Sequence, residues 1–402
     1  MSKKDILSYS VVLIPLLKPY LFFGINADVV GLVLMCLFSA IFLRLGIRIP
    51  KQLRPYCVLI IYSSFIPPLI GFLMFGDKFS ITFLPFVILI YMGILSYVAD
   101  FQKVFHLYKY IVLICCFFLF FQEIWYYLTS VRISGLIPFL DNVYSQSWGV
   151  SSDSFIERQS MLDRSSSFFL EPAHFAQYIA PCLAIMLLKK DCFSLSSIII
   201  ITSAMIMSRS GNALLLLGVI FVMFSLTSQI KKVWKFSISF LFLIGLVLFL
   251  GTEEGMEFMA RTDELSLTDM ERHSGFIRAY RGYFLWADLN SIQQFFGMGL
   301  NIDSIYDNIK YSWMFLSEND KFLNGVQTLM IMNGIVGVLI FLYFMYSLCK
   351  IKNTDHLGKT IVISFICLML IESIYNSSYM ILYLLLVVLN NKRYLQLQNA
   401  LE

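Results

Sequence analysis

Charged residues are scarce in this chain of 402 residues. Only 14% are Asp, Glu, Lys or Arg, whereas soluble domains carry about 25%. At the same time, 58% of the residues are hydrophobic and the mean hydropathy is +0.76. This balance argues against an ordinary soluble enzyme and against a nucleic-acid partner. It predicts a single integral membrane domain over residues 1–402 with many membrane-spanning helices.

Motifs of soluble catalysis are also missing. The chain has no Walker loop, no His-Glu-x-x-His zinc signature, no Gly-x-Ser-x-Gly elbow and no Asp-x-Asp pair. The eight cysteines lie in apolar stretches or at their predicted cytoplasmic ends, and none falls in the two long polar segments. We therefore expect no disulfide framework, no metal site, no cofactor and no cytosolic nucleotide-driven reaction.

Long apolar stretches recur along the chain. Lys3 and Lys4 precede the first apolar stretch, and this pattern resembles a signal peptide. No small-x-small cleavage site follows, so we predict an uncleaved first helix. The predicted architecture is an all-α polytopic membrane protein of about twelve transmembrane helices, with ten or eleven if a short pair is misread. The predicted helices cover residues 9–24, 27–43, 57–75, 80–99, 110–129, 167–188, 194–208, 211–228, 236–251, 323–348, 360–375 and 378–390.

The distribution of Lys and Arg predicts the orientation. More than half of the 30 basic residues lie in short connections that share one side if the N-terminus is inside. By the positive-inside rule, both termini are then cytoplasmic. The two long segments, 130–166 and 252–322, become external loops.

Six ionisable residues lie within the apolar stretches, where each costs roughly 2.5 to 3.5 kcal/mol to insert. All map to the middle or outer half of their helices, so we expect polarity to gather at the external end. Lys18 is expected to snorkel or pair locally, and Glu123 and Glu372 to pair with arginines. The six residues are Lys18, Glu123, Glu171, His174, Arg209 and Glu372.

Two features are harder to explain by packing alone. Glu171 stands directly before Pro172 at the mouth of a predicted helix. Four external arginines form the second feature, because a guanidinium stays charged and presents a planar fork of donors to phosphate oxygens. Beside lipid-facing helices, such a set indicates a substrate that carries phosphate on a lipid. The arginines are Arg164, Arg209, Arg278 and Arg281, and the last two would share one face of a short helix.

Four sequence elements stand out in their order along the chain. They are Arg164 with Phe168-Phe169-Leu170-Glu171-Pro172; Ser208-Arg209-Ser210-Gly211-Asn212; Arg278 to Trp286 with Gly297-Met-Gly299; and Asn324-Gly325 with Asn333-Gly334-Ile-Val-Gly337. Together they resemble the O-antigen polymerases, within the wider superfamily of polymerases and ligases of bacterial surface polysaccharides. The resemblance covers most of the chain, including the helix layout and the long external loops. Ligases of the superfamily present a histidine just before the helix after the large loop, whereas this chain has Lys321-Phe-Leu-Asn324-Gly325 there, without a histidine.

The resemblance implies glycosyl transfer at the periplasmic face of a bacterial inner membrane. The donor would be a growing glycan on undecaprenyl diphosphate, and the acceptor a single lipid-linked repeat unit. Arg209, Arg278 and Arg281 would hold the diphosphate and Arg164 would orient the site. Glu171 would be the general base, with His174 and Asn324 in supporting roles. No metal or cofactor is implied, and a chain-length regulator protein is a candidate partner.

Three other readings stay open. A ligase is disfavoured by the missing histidine. A flippase or other transporter of lipid-linked oligosaccharides is expected to show halves of similar hydropathy, and the chain shows none. A scaffold would have no use for the external arginines or for Glu171 before Pro172.

Overall fold

The computed structural model describes residues 3–43, 49–76, 79, 83–137, 140–143, 164–227, 232–252, 255–256, 274–299, 322–350 and 356–399. Apart from a two-stranded hairpin, β1 (Leu21–Phe22) and β2 (Ile25–Asn26), the regular structure in these ranges is helical. The helices are α1 (Lys3–Leu13), α2 (Ala27–Phe38), α3 (Arg54–Ile70), α4 (Leu84–Val98), α5 (Phe101–Thr129), α6 (Pro172–Leu188), α7 (Leu195–Met207), α8 (Gly211–Thr227), α9 (Lys232–Leu250), α10 (Ser274–Ala287), α11 (Ser291–Phe296), α12 (Gly325–Cys349), α13 (His356–Met369) and α14 (Ser378–Asn399).

Each of the twelve predicted helices has a counterpart among these. Helices α10 and α11 are additional and lie in the second predicted loop. Three helical stretches in the described residues are long and apolar enough to cross a membrane: Lys51–Phe75, Phe101–Thr129 and Gly325–Cys349. Several shorter apolar helices accompany them. The chain is therefore a nearly all-helical protein of membrane character. Twelve spans and their orientation stay predictions.

Several predicted boundaries were wrong by four or more residues, including the start of α5, both ends of α13 and the end of α14. Proline explains two further differences. The first helix was expected over residues 9–24, but α1 ends at Leu13 and a 3₁₀ turn, Ile14–Leu17, leads into the hairpin. Pro15 and Pro19 cannot donate the backbone hydrogen bonds that would continue an α-helix. The helix expected from residue 167 begins at Pro172 instead, because a residue before proline is pushed towards extended backbone and Glu171 has φ −137° and ψ 152°.

Helix α6 lies at the centre of the bundle. Every residue in it except Ala173 and His174 is buried. It contacts α5, α7, α8, α13 and α14, and the first half of α14 is buried in the same way. A helix that is apolar all round is typical of a protein core or of a membrane span. Glu171 therefore stands at the N-terminal end of the most enclosed helix described.

Ion pairs gather at the opposite end of the bundle. Asp5 pairs with Lys103 at 2.6 Å, and Asp191 pairs with Arg393 at 2.8 Å. Burial acts to raise the pKa of Asp191, but the hydrogen bond and charge of Arg393 outweigh it and lower that pKa. All four residues come from segments that the sequence places on the cytoplasmic side. The up-and-down course of the helices thus agrees with the predicted alternation, whereas the facing of this end remains a prediction.

Helix α12 is broken in its middle, and another segment fills the break. Gly334 has φ 60° and ψ −169°, a conformation that is essentially restricted to glycine. The amide groups of Met298 and Gly299 donate to the carbonyls of Ile331 and Met332, each at 2.9 Å. The Tyr62 hydroxyl donates to the Phe296 carbonyl at 2.8 Å. Backbone groups freed by a helix break need such partners in an apolar setting.

Replacing Gly334 by alanine is expected to destabilise the protein by roughly 2 kcal/mol or more, because the backbone conformation becomes strained. An added Cβ would also lie 2.4 Å from the carbonyl oxygen of Phe295. Gly218, inside α8, is the matched control, since a Cβ there meets nothing within 4 Å. The apparent melting temperature in detergent should fall for Gly334→Ala and stay level or rise for Gly218→Ala. If Gly334→Ala and Gly218→Ala have equal melting temperatures, the break in α12 is not needed for stability.

Candidate functional site

Four connections meet at the end of the bundle that carries Glu171. They are the β1–β2 hairpin, the first predicted loop, the segment before α12 and the connection between α13 and α14. The β1–β2 hairpin pairs with the first predicted loop through Leu21, whose amide donates to the Asp141 carbonyl at 2.8 Å. The amide of Val143 donates to the Pro19 carbonyl at 3.1 Å, and Tyr20 and Asn142 form a bridge. These contacts hold the hairpin and the loop beside the mouth of α6. Four of the six ionisable residues that were predicted to gather at one end, Lys18, Glu171, His174 and Glu372, line one cavity here. That this end is external stays a prediction.

A cavity of about 220 Å³ opens between these connections. Three of the lining residues are Glu171, directly before α6, and His174 and Gln177 in its first turns. His174 and Gln177 are three residues apart and therefore neighbours on one face of the helix. Lys18, Phe322 and Glu372 reach the same cavity from three other segments.

Glu171 is held where α6 begins. Its backbone carbonyl accepts the amide hydrogens of His174 at 3.1 Å and Phe175 at 3.2 Å, so the residue fixes the first turn. Its carboxylate makes no capping hydrogen bond and lines the cavity instead. The partial positive charge of the helix N-terminus attracts negative charge at this position. A carboxylate placed in this way is suited to accept a proton from a bound hydroxyl group.

Lys18 is the positive charge at the centre of this group. Its Nζ lies 4.5 Å from the centroid of the Tyr379 ring, and the charges of Asp28, Glu372 and Glu171 act on it. Asp28 also accepts a hydrogen bond of 2.7 Å from Ser378 Oγ. The interactions of Lys18 are therefore local, as expected. The cavity wall thus combines an ammonium group with two carboxylates, Glu171 and Glu372.

Glu372 connects the cavity to Asn212, in the first turn of α8. Its Oε1 accepts a hydrogen bond of 2.7 Å from Nδ2 of Asn212, and its backbone carbonyl accepts from the Gly325 amide at 2.9 Å. Asn324 caps α12 by accepting the Gln327 amide at 2.9 Å, and it donates to the Leu370 carbonyl at 2.9 Å. The expected supporting role of Asn324 thus has a geometric basis, because Asn324 and Gly325 fix the turn that carries Glu372.

Arg281 is completely buried and donates to the carbonyl of Phe322, whose side chain lines the cavity. Nearby, Gln327 Nε2 donates to the Ala279 carbonyl at 2.7 Å and joins α10 to α12. Direct contact between Arg281 and a diphosphate stays a prediction, but in this structure its guanidinium positions the segment before α12. Arg278 lies three residues earlier on the same helix, and its side chain falls outside the described part.

Arg209 occupies a second concavity. It has a left-handed backbone, φ 50°, at the tight connection between α7 and α8. With Glu123, Tyr126 and Met207 it lines an open groove of about 480 Å³. Arg209 does not line the cavity of Glu171, although Asn212, three residues further on, reaches Glu372. The two concavities are thus connected by one short hairpin.

Arg132 is a site-forming residue that sequence reasoning missed. Its Nη1 lies 2.7 Å from Glu123 Oε1 and 2.6 Å from Ser165 Oγ, and its guanidinium lies 4.0 Å from the centroid of the Tyr126 ring. Glu123 is therefore a partner of an arginine, as expected. Glu123 and Arg132 are nine residues apart, on either side of the end of α5, and this spacing is the sequence signal that could have predicted their pairing. Arg164, directly before Ser165, is half-buried beside this cluster.

No group of His, Cys, Asp or Glu in the described ranges has a geometry that could hold a metal ion. No model of a known protein family matches the chain, and comparisons with curated proteins and with solved structures give no significant match. The resemblance to O-antigen polymerases therefore rests on the four sequence elements and their order.

Proposed function

We propose that this chain is a membrane glycosyltransferase that polymerises repeat units carried on undecaprenyl diphosphate, at the periplasmic face of a bacterial inner membrane. One observation carries the proposal. A cavity at one end of the helix bundle combines the Glu171 carboxylate with further polar groups, next to a hairpin that presents Arg209. Its position at a bundle end suits substrates whose lipid tails stay in the membrane.

The side chains in the two concavities favour different binding places for the acceptor sugar and for the donor diphosphate. The cavity lined by Glu171, Glu372 and Lys18 suits the hydroxyl groups of the acceptor sugar, which can donate to the carboxylates. The donor diphosphate would instead lie against Arg209, with Arg164 and Arg278 as further candidates. Arginine offers diphosphate oxygens charge-assisted hydrogen bonds that strengthen as negative charge develops.

In the proposed reaction, Glu171 accepts the proton of the acceptor hydroxyl group. The hydroxyl oxygen then forms a bond to the anomeric carbon of the donor glycan. The bond between that carbon and the diphosphate oxygen breaks, and undecaprenyl diphosphate leaves with the electron pair. The carboxylate raises the nucleophilicity of the acceptor, and the arginines stabilise the leaving group.

Deleting the gene in its host and analysing the surface polysaccharide tests this proposal. Loss of a polymerase leaves one repeat unit on the final anchor, because single units are still transferred. Loss of a ligase leaves the anchor bare while long polymer accumulates on undecaprenyl diphosphate. Loss of a transporter leaves the anchor bare with single units on the carrier. An unchanged ladder of polymer lengths would contradict all three activities.

A further inference from the structure

Gln177 is a buried amide that the proposed chemistry does not use. Its side chain has no exposed surface, and neither Nε2 nor Oε1 has a hydrogen-bond partner. The residue nevertheless forms part of the wall of the cavity that contains Glu171. Its backbone is fixed, because its carbonyl accepts a hydrogen bond of 3.0 Å from the Tyr383 hydroxyl.

A buried amide with both groups unsatisfied is costly. Each unpaired buried donor or acceptor costs about 1–3 kcal/mol, and most buried polar groups in proteins are paired. A leucine would fill similar space on α6, a helix that is otherwise apolar at this depth, without that penalty. Because Gln177 also forms part of a cavity wall, its unpaired amide indicates a partner that enters the cavity.

The position of the amide indicates the class of that partner. Gln177 lies six residues beyond Glu171, about 9 Å further along the axis of α6, and both residues line the cavity. The cavity of about 220 Å³ is small for a ligand site, which suits one sugar ring rather than a whole lipid-linked oligosaccharide. An amide offers a donor and an acceptor side by side, which matches two neighbouring hydroxyl groups.

We propose that Gln177 is a specificity-determining residue of the acceptor site, and that its amide pairs with two hydroxyl groups of the sugar ring whose third hydroxyl group faces Glu171. The inference rests on the proposed glycosyl transfer. The amide atoms are covered in the present structure, so the side chain rotates into the cavity when the sugar enters. Such a site rejects a sugar that lacks either hydroxyl group, because the amide would stay buried and unpaired.

Gln177→Leu tests the inference, with Asn390→Leu as the matched control. Asn390 is also buried with both amide atoms unpaired, but it lies in α14 near the opposite end of the bundle, adjacent to Asn391, which donates to the Leu348 carbonyl. Both substitutions should keep or raise the apparent melting temperature, because each removes an unsatisfied amide. The soluble repeat-unit oligosaccharide, released from the host polysaccharide, is the probe, and its binding is measured by thermal shift.

Gln177→Leu is expected to weaken oligosaccharide binding by roughly tenfold or more, and Asn390→Leu to leave it unchanged. With the lipid-linked repeat unit, the KM for the acceptor should rise by a similar factor in Gln177→Leu. Binding and KM values equal to those of the wild type would overturn the inference while leaving polymerisation standing. Sugar binding that depends on Gln177 in a protein without polymerase activity would retain the sugar site and reject the polymerase. A lowered melting temperature for Gln177→Leu alone, with unchanged affinity, would show a packing role and also overturn the inference.

Discussion

Glu171→Gln is expected to abolish chain extension, with a loss of at least about 100-fold in turnover, because glutamine cannot accept the acceptor proton. The substitution keeps the size and shape of the side chain. The carboxylate makes no capping hydrogen bond to α6, so the substitution breaks no cap at the helix start. The measurement is polymer length and rate with purified lipid-linked repeat units, together with the membrane level and melting temperature of the variant.

Glu372→Gln is the control for this result, because Glu372 lines the same cavity and differs in its contacts. Its Oε1 accepts a hydrogen bond from Asn212, and a glutamine oxygen can accept the same bond. We therefore expect Glu372→Gln to keep most of the activity. If Glu372→Gln is inactive while Glu171→Gln extends chains normally, the base is Glu372. Normal extension by both variants would remove the carboxylates from the mechanism.

Arg132→Met is expected to be strongly destabilising, by about 3 kcal/mol, because it leaves the Glu123 carboxylate in a largely buried place without its cation. The side chains of Arg132 and Glu123 are only 3% and 11% exposed. Arg132 also holds Ser165, which stands in the segment that leads to the mouth of α6. A lower melting temperature should therefore be accompanied by reduced activity.

Two further variants separate the ion pair from general damage. Arg393→Met removes the exposed pair with Asp191 and should change stability by no more than about 1 kcal/mol. The double variant Arg132→Met with Glu123→Leu should lose less stability than the sum of the two single variants, since neither charge is then left alone. Additive losses would mean that the pair contributes little and that Arg132 acts through packing.

Local patterns determined much of the architecture. Each of the twelve helices predicted from apolar stretches has a counterpart in the structure. The apolar character of a stretch depends on its own residues alone, so it can be read without knowing the fold. The predicted gathering of Lys18, Glu171 and Glu372 at one bundle end also followed from local information, namely their positions along alternating helices. Proline chemistry at Pro172 explains the start of α6, although the prediction had placed that start too early.

Only the tertiary structure decided which polar groups meet. Arg132, which was not among the four predicted arginines, pairs with Glu123, and Arg281 is buried against the Phe322 carbonyl. Asn212 bonds to Glu372 across 160 residues. Such pairings depend on how distant connections close over the bundle, which hydropathy and spacing do not contain. The free-energy cost of exposing an apolar side chain to water is set by the residue itself and can be read from the sequence. A hydrogen-bond partner, in contrast, is decided by which groups lie close together in three dimensions.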